Sequence, residues 1–147
     1  AFMYRVFLTE VEVDITTGKT KVTKVRVAVD AGRIGNRLAV DGQYYGGIAQ
    51  GIGMALSEDF EDIHKQNTLR SCGFPMIDVI PDDLELIYLE TPRKNSRFGS
   101  SGCGEVVLTS PHASVINAIA NACGARIREL PAYPEKVLKA IREQASV

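Results

Sequence analysis

The sequence has 147 residues, 45% hydrophobic and 24% charged, with a formal net charge of −1, a length and composition that suit one compact domain with a real core. Near-neutral charge excludes a basic field aimed at nucleic acid or an anionic membrane, and no apolar run approaches the roughly 18 to 20 residues of a bilayer span. Cys72, Cys103 and Cys123 are an odd set without CxxC spacing, which argues against a disulfide framework, a structural zinc or an iron–sulfur site in this chain and fits a reducing, cytoplasmic setting.

The first residues, AFMYRVFLTEVEVD, open inside a strand-like pattern with no leader. The expectation is a portion of a longer chain or a subunit docked on others, and an excised fragment explains the same ends. Residues 3–13 and 21–29 read as a hairpin. Phe7, Thr9, Val11 and Val13 alternate with Val6, Leu8, Glu10 and Glu12, and Val25, Val27 and Val29 alternate with Lys24, Arg26 and Ala28. Asp14 and Gly18 supply the turn chemistry. From about Leu38 to Phe60 the period becomes helical, through Ile48, Ile52, Ala55 and Leu56. Gly46, Gly47, Gly51 and Gly53 lie in the body of this helix. Each costs about 1 kcal/mol against alanine, roughly 4 kcal/mol in all. Close approach of another helix or a ligand to this backbone is the expected offset.

Residues 61–83 hold no period and contain Pro75 and Pro81, as expected of a functional or mobile loop. Leu84–Glu90 reads as a third strand. Ser110 and Pro111 start a helix with a capping hydroxyl and a proline at its first position, and that helix stops at Gly124. Residues 125–130 read as a short edge strand, and Pro134 opens a last helix carrying Val137, Leu138 and Ile141 on one face. The order of elements lacks βαβ regularity. It predicts a single domain over 1–147 of the α+β class, a small mixed or antiparallel sheet with helices packed on one face as a two-layer sandwich.

Two stretches could carry chemistry. RFGSSGCGE, residues 97–105, places three glycines and two serines before one carboxylate, Glu105, which apolar Val106, Val107 and Leu108 follow. Desolvation there would make Glu105 a usable base; the simpler alternative is a turn carboxylate facing water. GQYYGGIAQGIG, residues 42–53, puts Gln43 and Gln50 seven apart on one helical face. An amide donates and accepts at once, as the edge of a heterocycle requires, although spacing alone favours amides that cap local backbone. The stretch lacks the Gly-Lys-Ser/Thr ending of a phosphate-cradling loop. His64 and His112 have no helical partner of ligand type, His112 falls in the first turn of its helix, and Cys103 reads as a small buried thiol.

Taken in register, five segments resemble the C-terminal part of the molybdenum hydroxylases, the xanthine dehydrogenase and aldehyde oxidoreductase family. They are EVEVDITTGKTKVTKVRVAVDAGRIGN, DGQYYGGIAQGIGMALSEDF, GFPMIDVIPD, FGSSGCGEVVLTSPHASVINAI and LPAYPEKVLKAI. The resemblance implies an oxidoreductase that hydroxylates an aldehyde or N-heterocycle with water-derived oxygen. It implies a molybdenum–molybdopterin cofactor shared with segments outside these residues, with iron–sulfur centres and any FAD in other domains or subunits. Glu105 matches the family's general base and Gln43 the glutamine that hydrogen-bonds the pterin, while Gln50, Gly102 and Gly104 shape the same wall. Arg37, Cys103, Val106 and Val107 depart from the family's usual residues without removing the base or Gln43. The implied partners are the remaining domains or subunits and a small-molecule substrate. A lone wall leaves the chain catalytically silent by itself, with a free surface that favours self-association. Two alternatives set against this reading are a non-catalytic interaction or assembly module and a small-ligand binder that keeps the fold.

Overall fold

A computed structural model describes residues 2–144. Strands β1 (Tyr4–Val13), β2 (Thr20–Asp30) and β3 (Asp83–Leu89) form one sheet in the order β1-β2-β3, with β1 antiparallel and β3 parallel to β2. Helix α1 (Arg37–Leu56) follows β2, and α2 (Pro111–Cys123) and α3 (Pro134–Gln144) close the chain. The sheet is mixed, its helices pack beside it, and the α+β two-layer reading holds.

The strand alternation dictates which face is covered. Phe7, Thr9, Val11 and Val13 of β1 point inward while Tyr4, Val6 and Leu8 stay exposed. On β2 the inward set is Val22, Val25, Val27 and Val29, each almost fully buried. The spacing of three between Val22 and Val25 breaks strict alternation. A bulge explains it: Glu10 pairs with Lys24 but Val11 pairs with Val22, so Thr23 is the extra residue. The bulge brings both valines onto the core face. Leu84, Leu86 and Tyr88 continue that face on β3.

Against it lie Tyr44, Ile48 and Ile52 of α1, Val115 and Ile119 of α2 and Val137 of α3. The hairpin turn is an Asx turn. Asp14 Oδ1 accepts from Thr16 N at 2.8 Å, Thr16 Oγ1 at 2.6 Å and Thr17 N at 3.2 Å. These hydrogen bonds hold the Asp14 carboxyl far below the usual carboxylate range. Among the described residues, no helix is long and apolar enough to cross a membrane.

Two local expectations fail for identifiable reasons. Residues 125–130 form no strand. Pro131 follows them, and the chain crosses to the end of α1, where Ala132 N donates to Ala55 O at 2.6 Å, so the chain is tied to a helix terminus and not to a sheet edge. Ser110 does precede α2, but its hydroxyl does not cap it. It accepts from Arg5 Nε at 3.1 Å instead, tying β1 to the start of α2.

Candidate functional site

The site begins with α1. Asn36 caps it, its side chain accepting from Ala39 N at 3.1 Å. Tyr88 on β3 anchors the first half of the helix. Its hydroxyl donates to Asp41 Oδ1 at 2.8 Å, the Arg37 guanidinium sits 3.8 Å over its ring, and Tyr44 meets it edge-on at 5.9 Å. Burial pushes the Tyr44 hydroxyl up to about 12 and, with the hydrogen bond to Asp41, raises Tyr88 as well. With Tyr44 turned into the core, the stripe of α1 beside that face carries Gln43, Gly46, Gly47 and Gln50, at i, i+3, i+4 and i+7.

A short 3-10 helix, Glu105–Thr109, crosses this stripe. Gly47 makes the crossing feasible: a methyl group added there would lie 2.7 Å from Val107 Cβ. One turn on, a methyl at Gly51 would lie 2.5 Å from Pro111 Cβ, and Gly53 stands as close to Pro75. The expected close approach to the helix backbone is therefore made, at these three positions, by protein. Val107, fully buried, fills the notch over Gly47. Glu105 and Leu108, three apart, share one side of a 3-10 helix and face an open depression of about 170 Å³. Gly42, Gln43, Gly46, Gly47, Gln50 and Gly104 complete its wall.

Four of the five candidate residues, Glu105, Gln43, Gln50 and Gly104, thus meet at one place. Gly104 is close enough that a methyl group on it would lie 3.8 Å from Gln43 Oε1. Gly102 is exposed and does not line the depression. Neither glutamine amide caps local backbone. Among the described residues, the Gln43, Gln50 and Glu105 side chains have no hydrogen-bonding or ionic partner within the chain. The expected desolvation of Glu105 is not met, since its side chain is exposed. Val107, not Glu105, takes the buried side of the turn. Leu108 also lines the depression, a place that the sequence does not signal, because only the 3-10 period sets it beside Glu105.

Other candidates separate from this place. Cys103 is half-buried against the core, and His112 lies in the first turn of α2. No group of three or more His, Cys, Asp or Glu among the described residues could hold a metal ion. The depression instead offers bare helix backbone and unpaired amides. At Gly42 and Gly46 an added methyl group would meet nothing within 4 Å. Such a wall fits a flat, hydrogen-bonding organic group such as a pterin, whose metal would be held by the organic group and by residues elsewhere.

Comparison with known proteins places this chain in a family. Residues 1–81 match the model of the molybdopterin cofactor-binding domain, a span that includes α1 and ends before Glu105. The chain is 57% identical over 141 residues to aldehyde oxidoreductase of Megalodesulfovibrio gigas, covering 96% of this chain and 16% of that protein. It is 40% identical to the nicotine 6-hydroxylase large subunit of Paenarthrobacter nicotinovorans, covering 90% of this chain and 17% of that one. The crystal structure of aldehyde oxidoreductase from Desulfovibrio desulfuricans superposes with a TM-score of 0.91 at 59% identity, over 94% of this chain and 15% of that chain. Quinoline 2-oxidoreductase from Pseudomonas putida superposes with a TM-score of 0.80 at 33% identity, over 90% and 18%. The chain spans about one-sixth of the length of these relatives. With more than half of its residues matched by the family model, the chain belongs to the molybdopterin cofactor-binding domain family.

Proposed function

We propose that this chain is the C-terminal portion of a molybdenum-dependent oxidoreductase and builds one wall of its molybdopterin site. Its substrate is an aldehyde or an N-heterocycle, hydroxylated with water-derived oxygen. The observation that carries the reading is the convergence of Glu105 and Gln43, from separate elements, on one depression where neither has a partner inside the chain. Two unpaired hydrogen-bonding groups brought together by a tertiary notch are poised for something the chain does not itself provide.

The roles follow from the chemistry of each group. Gln43 would hold the pterin edge, since its amide offers one acceptor and two donors. Gln50, one heptad further along α1, would border the same group, and Gly46 would let it approach the helix backbone. Glu105, as carboxylate, would accept the proton of the attacking water-derived oxygen. A positioned carboxylate of this kind contributes typically 10²–10⁴-fold. In the chain alone Glu105 is exposed, and its environment as a base would be set by the domains and cofactor that close over it. The bound molybdenum cofactor would supply the two-electron oxidation. The remaining domains or subunits, with any iron–sulfur and FAD centres, would supply the rest of the site, so this chain by itself would be inactive.

The test is Glu105→Gln in the full-length oxidoreductase. The amide keeps the shape and loses the base. Hydroxylation should fall by about 10²–10⁴-fold while molybdenum content stays at the wild-type level. Wild-type turnover in that variant would remove Glu105 from the reaction.

A further inference from the structure

The run that delivers Glu105 has little to hold it in place. Gly102 and Gly104 carry no side chains, and both are exposed. Apart from Cys103, half-buried against the core, the run is held from its ends. The downstream end is Val107 in the Gly47 notch. The upstream end is stitched to the exit of β2. Gly99 O accepts from Arg33 N and Arg93 N, each at 3.0 Å, and Ala31 O accepts from Ser101 N at 3.0 Å and Ser101 Oγ at 2.7 Å. Gly32 and Ser100 add an antiparallel bridge.

At the root of these contacts lies an ion pair. Arg93 Nη2 stands 3.1 Å from Asp30 Oδ1 and donates to Asp30 O at 2.7 Å, and both side chains are only 14% exposed. Asp30 Oδ1 also accepts from Gly32 N at 3.1 Å and Thr91 N at 3.2 Å. Although burial opposes it, these bonds and the Arg93 charge hold the Asp30 carboxyl below its ordinary value. The pair therefore joins the two backbone segments, 30–33 and 91–101, that the stitching connects. Within the second segment the chain makes an uncommon turn. Phe98, at φ 60°, and Gly99, at φ 73°, are consecutive left-handed residues, and Phe98 is 82% exposed. A bulky residue keeps that conformation only where its surroundings over-determine it, and the two amides on Gly99 O do so.

We infer that Asp30 and Arg93 are positioning residues for Glu105, their ion pair fixing the upstream end of the run whose downstream end is Val107. This rests on the reading of Glu105 as base. The ladder between β2 and β3 ends at Asp30 and Leu89, so the ion pair stands at its end and faces the run that follows. What depends on it is the place of residues 99–105, and a displacement of about 1 Å in a reacting group can cost on the order of 100-fold in rate.

The experiment uses the full-length holoenzyme with Asp30→Asn, Arg93→Met, and Arg93→Lys as the conservative variant. Asp30→Asn and Arg93→Met should lower kcat about 10- to 100-fold, with KM and molybdenum content near wild type. Hydrogen exchange should accelerate in peptides covering 97–105 and stay unchanged in those covering α2. Arg93→Lys should recover part of both effects. Unchanged kcat and exchange in Asp30→Asn would overturn the inference, as would exchange that accelerates equally through α2. The base assignment is judged separately, by Glu105→Gln. If that variant hydroxylates normally, the assignment is lost, and exchange alone still decides whether Asp30 and Arg93 hold the run.

Discussion

Helix α1 carries its glycines in two groups with opposite surroundings. Gly47, Gly51 and Gly53 are buried, and each is occupied at close range by a side chain from elsewhere: Val107, Pro111 and Pro75. Gly42 and Gly46 are exposed, and nothing comes within 4 Å of where their side chains would be. All five weaken the helix by about 1 kcal/mol each relative to alanine. For the first group the fold supplies the reason, because these notches let the 105–111 segment and the long loop lie against the helix. For the second it supplies none within the chain. The unexplained group stands on either side of Gln43 and, together with the edge of Gly47, lines the depression with Glu105. The same residue type thus marks internal packing in one half of the helix, and in the other a surface kept bare for something external.

Substitution by alanine should separate the two groups by sign. The largest effect is expected at Gly51. The added methyl would press at 2.5 Å on the buried ring of Pro111, with His112 N at 3.3 Å behind it, and a proline at the first position of α2 has little freedom to move. Overpacking of this kind costs about 1–3 kcal/mol, against about 1 kcal/mol gained in helix propensity. Gly51→Ala should therefore show a net loss, read as a lower urea midpoint. An unchanged midpoint would mean that α2 slides freely over α1. Gly47→Ala should be milder in stability, since the 2.7 Å contact is with Val107 Cβ, which χ1 rotation cannot move but which the short 3-10 turn carrying it can lift away. That lift moves Glu105. The variant should lose activity in the full enzyme out of proportion to its stability, and equal losses of both would break the proposed link between notch and carboxylate.

These contrasts mark where sequence reasoning reached and where it stopped. Alternation in Phe7–Val13 and Val25–Val29 makes the hairpin legible, because a two-residue period has one consistent assignment of faces. The bulge at Thr23 is not legible, being a property of the pairing and not of either strand. The helical period through Ile48 and Ile52 gives α1, but its glycines cannot be sorted without knowing which residues come to meet them. Ser110 reads as a cap because local chemistry permits it; Arg5, 105 residues away, claims the hydroxyl instead. Glu105 stands out by its place after the glycines, and Gln43 and Gln50 by their spacing, yet their meeting is tertiary. It depends on Val107 entering a notch 60 positions earlier in the chain. The expectation that Val106–Leu108 would bury Glu105 failed because a 3-10 turn sends consecutive residues to different sides, and only Val107 goes inward.

The smallest effect, and the sharpest contrast with Gly51, is expected at Gly46. Alanine there meets no atom within 4 Å and the backbone is already helical. The added methyl should stabilise α1 by up to about 1 kcal/mol, partly by reducing the freedom of the unfolded chain. The urea midpoint should rise. If the open group exists for the chain's own folding, through a clash in some folding partner of α1, the midpoint would instead fall as it does for Gly51→Ala. The same methyl would stand 3–4 residues from both Gln43 and Gln50, on the floor of the depression. In the full-length enzyme it would separate a flat bound group from the helix backbone by the thickness of a methyl. Cofactor content, measured as molybdenum per protein, should therefore drop in a variant that is more stable. Stability and cofactor retention moving in opposite directions is an outcome that no purely structural role for Gly46 produces.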